Sequence, residues 1–555
     1  MDNKKRDNTA PVKAKDNKKL FFSGVIVLTF ANILVKVIGA FLKVPLQRLL
    51  EDEGMGYYSA AYDIYTWFYM ISTAGLPVAV SIMISGSRAE GRFKDAKKIF
   101  KVVFAIFCTV GFVGMSVMIL FSKGFATLYS LPDARWCIIA VAPTLFFICI
   151  ASAFRGYFQG YQNMVPTAVS EVIEAVGKLT LGILFATYAL NKGYKFHIVA
   201  AFTLVGLAVG SAFGMLYLII RKTVFNREEA SYNAALNVVA DDNYVTPTKL
   251  IVKNLLFIGI PITLSASVMS FTNVIDGMIL SSRLQSLGYS TSEVSTKFGN
   301  YKTLAVTLFN LPPSLIYPIT ASIVPVLSAA VAGKKQKLIT STMESSLRIC
   351  SLISLPCAFG LSALSYPVLS LLFPDDSARM AAPLLSVLAP SIFCLAMLSV
   401  TNSFLQSHKF QVFPIISMVA GAAVKLLSSY FLIGTRGIEM YGAPIGTFLC
   451  YLTTMLLNFI FVAKKIGYVP KIGRIFVKPF ISAVICALAA YGCDRLLVKV
   501  LPVPDRVITV LSVCFAAAVY LVCIILLKAV TASDVKLLPK GEKIARVLAK
   551  KHIIS

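Results

Sequence analysis

Charged residues are scarce in this sequence: they make up 14% of its 555 residues, whereas soluble domains carry roughly 25%. Long polar stretches are also few, because 57% of the residues are hydrophobic and the mean hydropathy is +0.77. Apolar runs of about twenty residues, the length that crosses a bilayer, recur from end to end. This composition excludes a soluble globular protein and predicts an all-α polytopic membrane protein.

Acidic residues are half as common as basic ones, 26 against 53, and the formal net charge is +27. On a soluble chain this excess would indicate a nucleic-acid partner. Here most basic residues lie in short loops and at the two ends of the chain, where they set the orientation of membrane spans. We therefore expect no nucleic-acid partner.

Residues typical of metal or redox sites are few. The three histidines are isolated, and the eleven cysteines are scattered without a CxxC pair, which is typical of small packing residues. The first twenty residues are polar and lysine-rich and a full-length span follows directly, unlike a cleavable signal peptide. The sequence predicts no metal site, no cofactor and no catalytic residues.

Fourteen apolar segments are long enough to span a membrane. They lie near residues 20–45, 57–85, 99–122, 136–154, 166–190, 196–220, 254–282, 304–332, 347–373, 381–405, 411–434, 441–463, 477–499 and 506–529. If the loops alternate sides, one side receives about 35 of the 53 basic residues and the other about 13. The excess of Lys and Arg on one side predicts that both termini are cytoplasmic.

Two stretches of the chain share the same spacing of polar residues. Gln159 lies nineteen residues before Lys178, Gln406 lies nineteen before Lys425, and a proline opens the helix between each pair. Two halves with six spans each would have the same orientation in the membrane, related by an axis along its normal. The predicted segments are a basic tail (1–19), an N-terminal lobe (20–220), a cytoplasmic linker (221–253), a C-terminal lobe (254–463), spans 13 and 14 (464–529) and a basic amphipathic tail (530–555).

Several different short motifs are spread over nearly the whole chain. They are GMGYY at 54–58, TAGLPVAVS at 73–81, RGYFQG at 155–160 with Pro166 and Glu174, IDG at 275–277, LP at 311–312 with PVLS at 325–328, and GAPIGT at 442–447. In this order over fourteen spans, the sequence resembles the polysaccharide-export branch of the multidrug/oligosaccharidyl-lipid/polysaccharide (MOP) exporter superfamily. Within it, the sequence is most similar to the stage V sporulation protein B group, which is related to lipid II flippases.

The resemblance implies a V-shaped flippase whose two six-helix lobes alternate between inward-open and outward-open states. The implied cargo is an undecaprenyl-linked cell-wall precursor, lipid II or a lipid-linked oligosaccharide, moved to the outer leaflet of the bacterial cytoplasmic membrane. Spans 13 and 14 would help to form a groove for the lipid tail. The sequence departs from Gram-negative lipid II flippases at their cavity arginines, where it has Lys36 in span 1, an apolar residue in span 2 and Thr307 in span 8.

Polar residues at membrane depth are the candidates for cargo binding. A charge at the bilayer centre costs at least ~2.5–3.5 kcal/mol, so such residues face protein or a wet cavity. A pyrophosphate needs cationic partners in a cavity of low dielectric constant. The predicted cavity residues are Lys36, Lys43, Arg155, Gln159, Glu174, Lys178 and Lys425.

Each candidate also has a structural interpretation. Lys43 could extend to the membrane interface, Arg155 could only set orientation, and Glu174 with Lys178 could form an i, i+4 ion pair. Glu171 is interpreted as solvated near the cytoplasmic mouth. The aromatic cluster from Tyr57 to Tyr69 is interpreted as an interfacial belt or, alternatively, a sugar-binding platform.

Asp276, with Asn273, places a carboxylate in the seventh span. It indicates coupling to Na⁺ or H⁺, or a salt bridge to a lysine of span 1; the membrane potential is another energy source. The leading hypothesis is a monomeric flippase that contacts its lipid-linked cargo and membrane lipids. The alternative is a cation-coupled multidrug antiporter on the same fold, and short outer loops argue against a membrane glycosyltransferase.

Overall fold

The computed structural model describes residues 10–235, 245–471, 473–500 and 503–530, and within these ranges every regular element is helical. The helices are α1 (Ala10–Thr73), α2 (Leu76–Ala89), α3 (Phe93–Leu120), α4 (Ser122–Leu128), α5 (Ala134–Gly160), α6 (Val165–Asn191), α7 (Phe196–Ala235), α8 (Thr248–Ser286), α9 (Thr291–Gly299), α10 (Val306–Phe309), α11 (Leu311–Ala332), α12 (Gln336–Ala363), α13 (Ser365–Leu372), α14 (Asp375–Leu388), α15 (Ser391–Ser407), α16 (Val412–Ile433), α17 (Gly442–Phe461), α18 (Lys478–Val500) and α19 (Asp505–Leu526).

At least nine helical segments in the described ranges are long and apolar enough to cross a membrane. The bent pair α14 and α15, which meet at 44°, adds a tenth when the two are counted as one span. The first segment, Phe30–Arg88, has 59 residues and at 1.5 Å per residue would reach roughly 88 Å, far beyond a 30 Å hydrocarbon core. It leaves helical geometry at Glu51 (φ 54°), so it holds more than one crossing.

Several boundaries differ from the predicted ones. Helix α1 begins at Ala10, inside the predicted tail 1–19, while residues 1–9 lie outside the described ranges. Helix α7 continues to Ala235, inside the predicted linker 221–253. The predicted span 304–332 starts earlier in the structure, with α9 and a π-helical turn at Asn300–Ala305 leading into α11. Residues 531–555 of the predicted amphipathic tail lie outside the described ranges.

The chain forms two compact units, Met1–Val274 and Ile275–Ser555. In the N-terminal unit, α6 and α7 pack backbone to backbone through glycines. A Cβ placed on Gly210 would lie 2.7 Å from the backbone nitrogen of Lys178, and one on Gly206 would lie 2.5 Å from that of Gly182. Small residues at these positions let membrane helices approach closely, and this contact fixes the part of α6 that carries the predicted charges.

A buried carboxylate at the start of α3 holds the chain that leads into α8. Asp95 is 1% exposed. It accepts hydrogen bonds from the backbone N–H of Thr246 at 2.8 Å and from the hydroxyls of Thr246 and Ser87 at 2.9 Å each. Three donors compensate the buried charge, so the predicted linker ends at a fixed point on the N-terminal unit.

The C-terminal unit repeats a local feature of the N-terminal one. Lys178 and Lys425 each lie thirteen residues after the first residue of their helix, and the preceding helix ends one residue after Gln159 or Gln406. The repeated spacing in the sequence therefore corresponds to two similar helical hairpins, α5–α6 and α15–α16. Elsewhere in this unit, α12 packs with α18 and α19 around a small apolar core that includes Leu355, Ala483 and Tyr520.

Candidate functional site

A cavity of about 360 Å³ lies within the N-terminal unit, between α1, α5, α6 and α7. Residues 171, 174 and 178 line it because positions i, i+3 and i+7 share one face of a helix. Helix α7 contributes Leu207, an apolar wall. The charged and phenolic lining residues are Lys36, Tyr62, Tyr65 and Tyr69 from α1, Arg155 from α5, and Glu171, Glu174 and Lys178 from α6.

Arg155 is the centre of the ionic contacts in this cavity. Its side chain is buried, and its Nη2 donates to Glu174 Oε2 at 3.1 Å while Nε donates to Ser170 Oγ at 3.1 Å. Its Nη1 lies 4.0 Å from Glu171 Oε1. A planar guanidinium suits several partners at once, so one arginine holds both acidic residues of α6.

Lys178 contacts phenol groups of α1 in place of a carboxylate. Its ammonium donates to Tyr62 Oη at 3.2 Å and lies 4.5 Å from the centre of that ring. Tyr58, Tyr62, Tyr65 and Tyr69 follow one another at i, i+4 and i+3 spacing, with ring centres 5.6–6.0 Å apart. The predicted i, i+4 ion pair is therefore replaced by two separate contacts, Glu174 with Arg155 and Lys178 with Tyr62.

The balance of charge in the lining is positive. Three basic side chains face two carboxylates, and Arg155 is the ion-pair partner of both carboxylates. Lys178 has a phenol group, that of Tyr62, as its hydrogen-bond partner. A phosphate or another anion could exchange its hydration for contacts with Lys178, Arg155 and tyrosine hydroxyls.

Four predicted site residues lie in this cavity, namely Lys36, Arg155, Glu174 and Lys178. Lys43 is half-buried further along α1, and Gln159 is half-buried one turn after Arg155; neither is among the residues that line the cavity. Asn273 is exposed on α8.

The remaining two predicted residues pair with each other inside the C-terminal unit. Lys425 Nζ lies 3.1 Å from Asp276 Oδ2, and Ser429 Oγ donates to Asp276 Oδ1 at 3.1 Å. Asp276 is 1% exposed and Lys425 is 5% exposed. The salt bridge considered for Asp276 is therefore present, but its partner is on α16 and not in span 1. Both charges are compensated within the protein.

Glu171 and three tyrosines line the cavity but were not among the predicted cavity residues. Glu171 was interpreted as solvated and the aromatic cluster as an interfacial belt or a sugar-binding platform, whereas Glu171, Tyr62, Tyr65 and Tyr69 line the same cavity as Arg155. One sequence signal could have found them. Residues 161–164 form a tight turn between α5 and α6, so the two helices are antiparallel neighbours, and charges on both sides of the turn meet across it.

A second, apolar groove of about 920 Å³ lies within the C-terminal unit. It runs between α12, α15, α17 and the start of α18, with aromatic walls that include Phe359, Phe393, Phe459, Phe476 and Phe480. No residue of α19 is among its lining residues in the described part of the chain. The same part of the chain holds no cluster of three or more His, Cys, Asp or Glu that could bind a metal ion.

Fold and sequence together define the class of protein. A family model described as polysaccharide biosynthesis protein matches residues 21–331, more than half of the chain, and the chain belongs to that family. This confirms the resemblance to the polysaccharide-export branch of the MOP superfamily, which the motifs indicated. The chain is a multi-pass membrane protein.

Particular relatives cover most of the chain. Stage V sporulation protein B of Bacillus subtilis (strain 168) is 24% identical over 497 residues, which is 86% of this chain and 92% of the relative. Lipid II flippase MurJ of the same organism is 24% identical over 463 residues, 81% of this chain and 84% of the relative.

Solved structures share the fold. The inward closed conformation of a lipid II flippase MurJ matches with a TM-score of 0.63 and 14% identity, covering 90% of this chain and 98% of that one. An inward-facing multidrug resistance MATE family transporter of the MOP superfamily matches with a TM-score of 0.58 and 14% identity, covering 78% and 98%. At this identity the likeness concerns the fold alone.

Proposed function

We propose that this protein is a flippase that moves an undecaprenyl-linked cell-wall precursor, lipid II or a lipid-linked oligosaccharide, from the inner to the outer leaflet by alternating access. No covalent bond changes in this process, so the protein is not an enzyme and needs no catalytic group. The observation that carries the proposal is the cavity of the N-terminal unit, which is lined by the basic residues Lys36, Arg155 and Lys178 together with Tyr62, Tyr65 and Tyr69.

The cavity suits the polar part of such a cargo. Arg155 is buried, Lys178 is half-buried and Lys36 is exposed. Cations attract a diphosphate more strongly where the surrounding dielectric constant is low, as it is around Arg155. Tyrosine rings present flat apolar faces and a hydroxyl, which matches the mixed surface of a sugar. Both features occur in one space, which Arg155 and Lys178 line together with Tyr62, Tyr65 and Tyr69.

The apolar groove of the C-terminal unit suits the polyprenyl tail. Its lining is almost wholly apolar and aromatic, and its volume is about 920 Å³. The resemblance led us to expect a tail groove formed with spans 13 and 14; the groove found here uses α18 and the Gly473–Val477 turn before it. A tail lying there would remain in a hydrocarbon-like environment.

The proposed architecture has fourteen spans, six in each lobe and two at the end, with both termini in the cytoplasm. The helices support this number when α1 is divided at Glu51 and its second part is joined to α2, when α9 to α11 form one span and α14 with α15 another, and when the short helices α4 and α13 are not counted. We propose a monomer, energised by the membrane potential or by Na⁺ or H⁺.

A flipping assay tests the proposal. Vesicles containing the full chain and lipid II with a fluorescent headgroup are treated with a membrane-impermeant quencher, and the rate at which protected fluorophore is lost measures flipping. Lys178→Ala is expected to lower the rate about tenfold, which corresponds to roughly 1.4 kcal/mol. Lys192→Ala is the matched control, because Lys192 is exposed at the other end of α6. Equal rates for Lys178→Ala and wild type would contradict a cargo role for this cavity.

The same fold hosts multidrug transporters, so drug antiport is the alternative. The positive balance of the cavity lining disfavours cationic drugs, and Asp276 already has Lys425 as its partner. Efflux of a cationic dye that needs Asp276, with no flipping of lipid II, would favour the alternative.

A further inference from the structure

Two carboxylates share one guanidinium in the cavity of the N-terminal unit, and they share it unequally. Glu174 makes a 3.1 Å hydrogen bond to Arg155, whereas the nearest oxygen of Glu171 lies 4.0 Å from it. The second oxygen of Glu171, Oε2, is buried and has no hydrogen-bond partner. A buried acceptor without a donor is energetically unfavourable, and more so when it is charged.

Two buried carboxylates of the described helices, Asp95 and Asp276, are better compensated. Asp95 accepts three hydrogen bonds at its two oxygens. Asp276 has an ammonium on one oxygen and a serine hydroxyl on the other. Glu171 is therefore less well compensated than either of them, and it lies in a cavity.

The groups around Glu171 determine what can compensate it. Helix α7 presents only Leu207 to the cavity, so it adds no charge there. Lys178 is engaged with Tyr62 one to two turns away. The titratable and charged groups of the lining are Lys36, Tyr62, Tyr65 and Tyr69 of α1, Arg155 of α5, and Glu174 and Lys178 of α6. Arg155 is thus the cation nearest to Glu171.

We propose that Glu171 is the proton-binding group of this cavity, and that it takes up one proton when an anionic ligand engages Arg155. An anion that takes the Nη1 group of Arg155 as its partner leaves Glu171 with no cation at 4 Å. A proton from water then adds to a Glu171 oxygen and removes the uncompensated charge. When the anion leaves, Arg155 returns to Glu171 and the proton is released to water.

The sequence suggested Asp276 either as the coupling residue or as part of a salt bridge, whereas this proposal places proton binding at Glu171. The identity of the anion, a diphosphate, rests on the proposed function, but the proton-binding role of Glu171 does not. Its consequence is that anion binding and proton binding favour each other, since each weakens the competition for Arg155.

Infrared difference spectroscopy of the full chain in lipid tests the role of Glu171 without any cargo. The carbonyl stretch of a protonated carboxyl group is recorded as the pH is lowered. Glu171→Gln is expected to lose one titrating carboxyl signal, and Asp276→Asn is expected to keep it. In Glu174→Gln, Arg155 is released to Glu171, and the signal should move to lower pH. An unchanged titration in Glu171→Gln would overturn the proposal, provided that its thermal unfolding matches wild type, as the isosteric change predicts.

Proton uptake on ligand binding tests the coupling. Farnesyl diphosphate, a short prenyl diphosphate, is added to the protein in weakly buffered detergent solution with a pH indicator, and the same addition without protein is subtracted. Wild type is expected to take up about one proton per ligand bound, whereas Glu171→Gln binds without uptake. Uptake that persists in Glu171→Gln would contradict the coupling. A failure of wild type to bind farnesyl diphosphate would count against the proposed cargo class, while the infrared titration would still decide the role of Glu171.

Discussion

Arg155 is the residue on which the cavity of the N-terminal unit depends most. Its guanidinium contacts Glu174, Glu171 and Ser170 and is 8% exposed. Arg155→Ala would leave two acidic side chains without a cation at membrane depth. We expect it to destabilise the protein by about 3 kcal/mol, the low end for a broken buried pair, seen as a lower unfolding temperature in detergent.

The control for Arg155 is an exposed arginine with the same type of partner. Arg379 bonds Asp375 at 2.9 Å, but both side chains are more than half exposed. Surface pairs contribute about 0–1 kcal/mol, so Arg379→Ala should hardly change the unfolding temperature. If both substitutions lowered the unfolding temperature equally, burial of the Arg155 ion pairs would contribute nothing to stability.

The Asp276–Lys425 pair gives a prediction of a different form. Lys425→Met alone leaves a carboxylate that is 1% exposed without its cation, and we expect a loss of about 3–5 kcal/mol. Replacing both residues, Asp276→Asn with Lys425→Met, should recover most of that loss, because no uncompensated charge remains. Thermal unfolding of the single and double variants gives the coupling energy directly. A double variant as unstable as the single one would argue that the residues act separately.

At this scale the sequence predicted which residue types matter better than it predicted their partners. Lys36, Arg155, Glu174 and Lys178, which the sequence assigned to one cavity, line the same cavity in the structure, because charges in apolar helices must face protein or a wet cavity. The partner of Glu174 was wrong, because the i, i+4 rule describes one isolated helix. Asp276 and Lys425 are 149 positions apart in the sequence, and no local pattern connects them.

At the scale of elements, the contact between α6 and α7 sets the position of the cavity residues. A Cβ on Gly210 would meet the Lys178 backbone nitrogen at 2.7 Å. Gly210→Ala should therefore push α6 outward, lower stability by about 1–3 kcal/mol and slow flipping. Gly492→Ala in α18, where nothing lies within 4 Å, should be neutral or stabilising by up to about 1 kcal/mol. If Gly210→Ala and Gly492→Ala have the same effect on stability and flipping, close packing of Gly210 against α6 is contradicted.

The hydrogen bonds of Asp95 give a second prediction about elements. The backbone N–H of Thr246 donates to Asp95 at 2.8 Å, so hydrogen exchange at that amide should be slow. Asp95→Ala should speed it by at least tenfold, whereas Thr246→Val, which keeps the N–H and removes only the hydroxyl, should have a smaller effect. Mass spectrometry of peptides that include residue 246 measures both exchange rates. An unchanged exchange rate in Asp95→Ala would contradict the claim that Asp95 holds the end of the linker in place.

Helix positions were mostly predictable, and the exceptions share a cause. The span predicted at 166–190 is the helix Val165–Asn191, and the one at 411–434 is Val412–Ile433, because hydropathy marks the apolar part of a helix. Helix α7 and the start of α1 extend into polar sequence. A helix can continue past the membrane at no cost in hydropathy, so an apolar window misses such ends.

At the scale of the whole molecule, the proposed orientation is open to a direct test. The two ends of α6 lie on opposite sides of the membrane in the fourteen-span arrangement, with Gln162 cytoplasmic and Asn191 outside; both are exposed. In a background without native cysteines, Asn191→Cys should react with an impermeant maleimide in intact cells. Gln162→Cys should react only after permeabilisation. The reverse pattern would invert the whole topology.

The tight glycine packing of α6 on α7 also limits which parts of the N-terminal unit can move. A pair of helices in backbone contact cannot slide without a steric clash, so Glu171, Glu174 and Lys178 keep their positions relative to α7. Helix α1, on the opposite wall, has Pro45 within it and a non-helical residue at Glu51, and both weaken its stiffness. Any widening or narrowing of the cavity therefore falls to α1, which carries Lys36 and the tyrosines, while Glu171, Glu174 and Lys178 stay in place on α6.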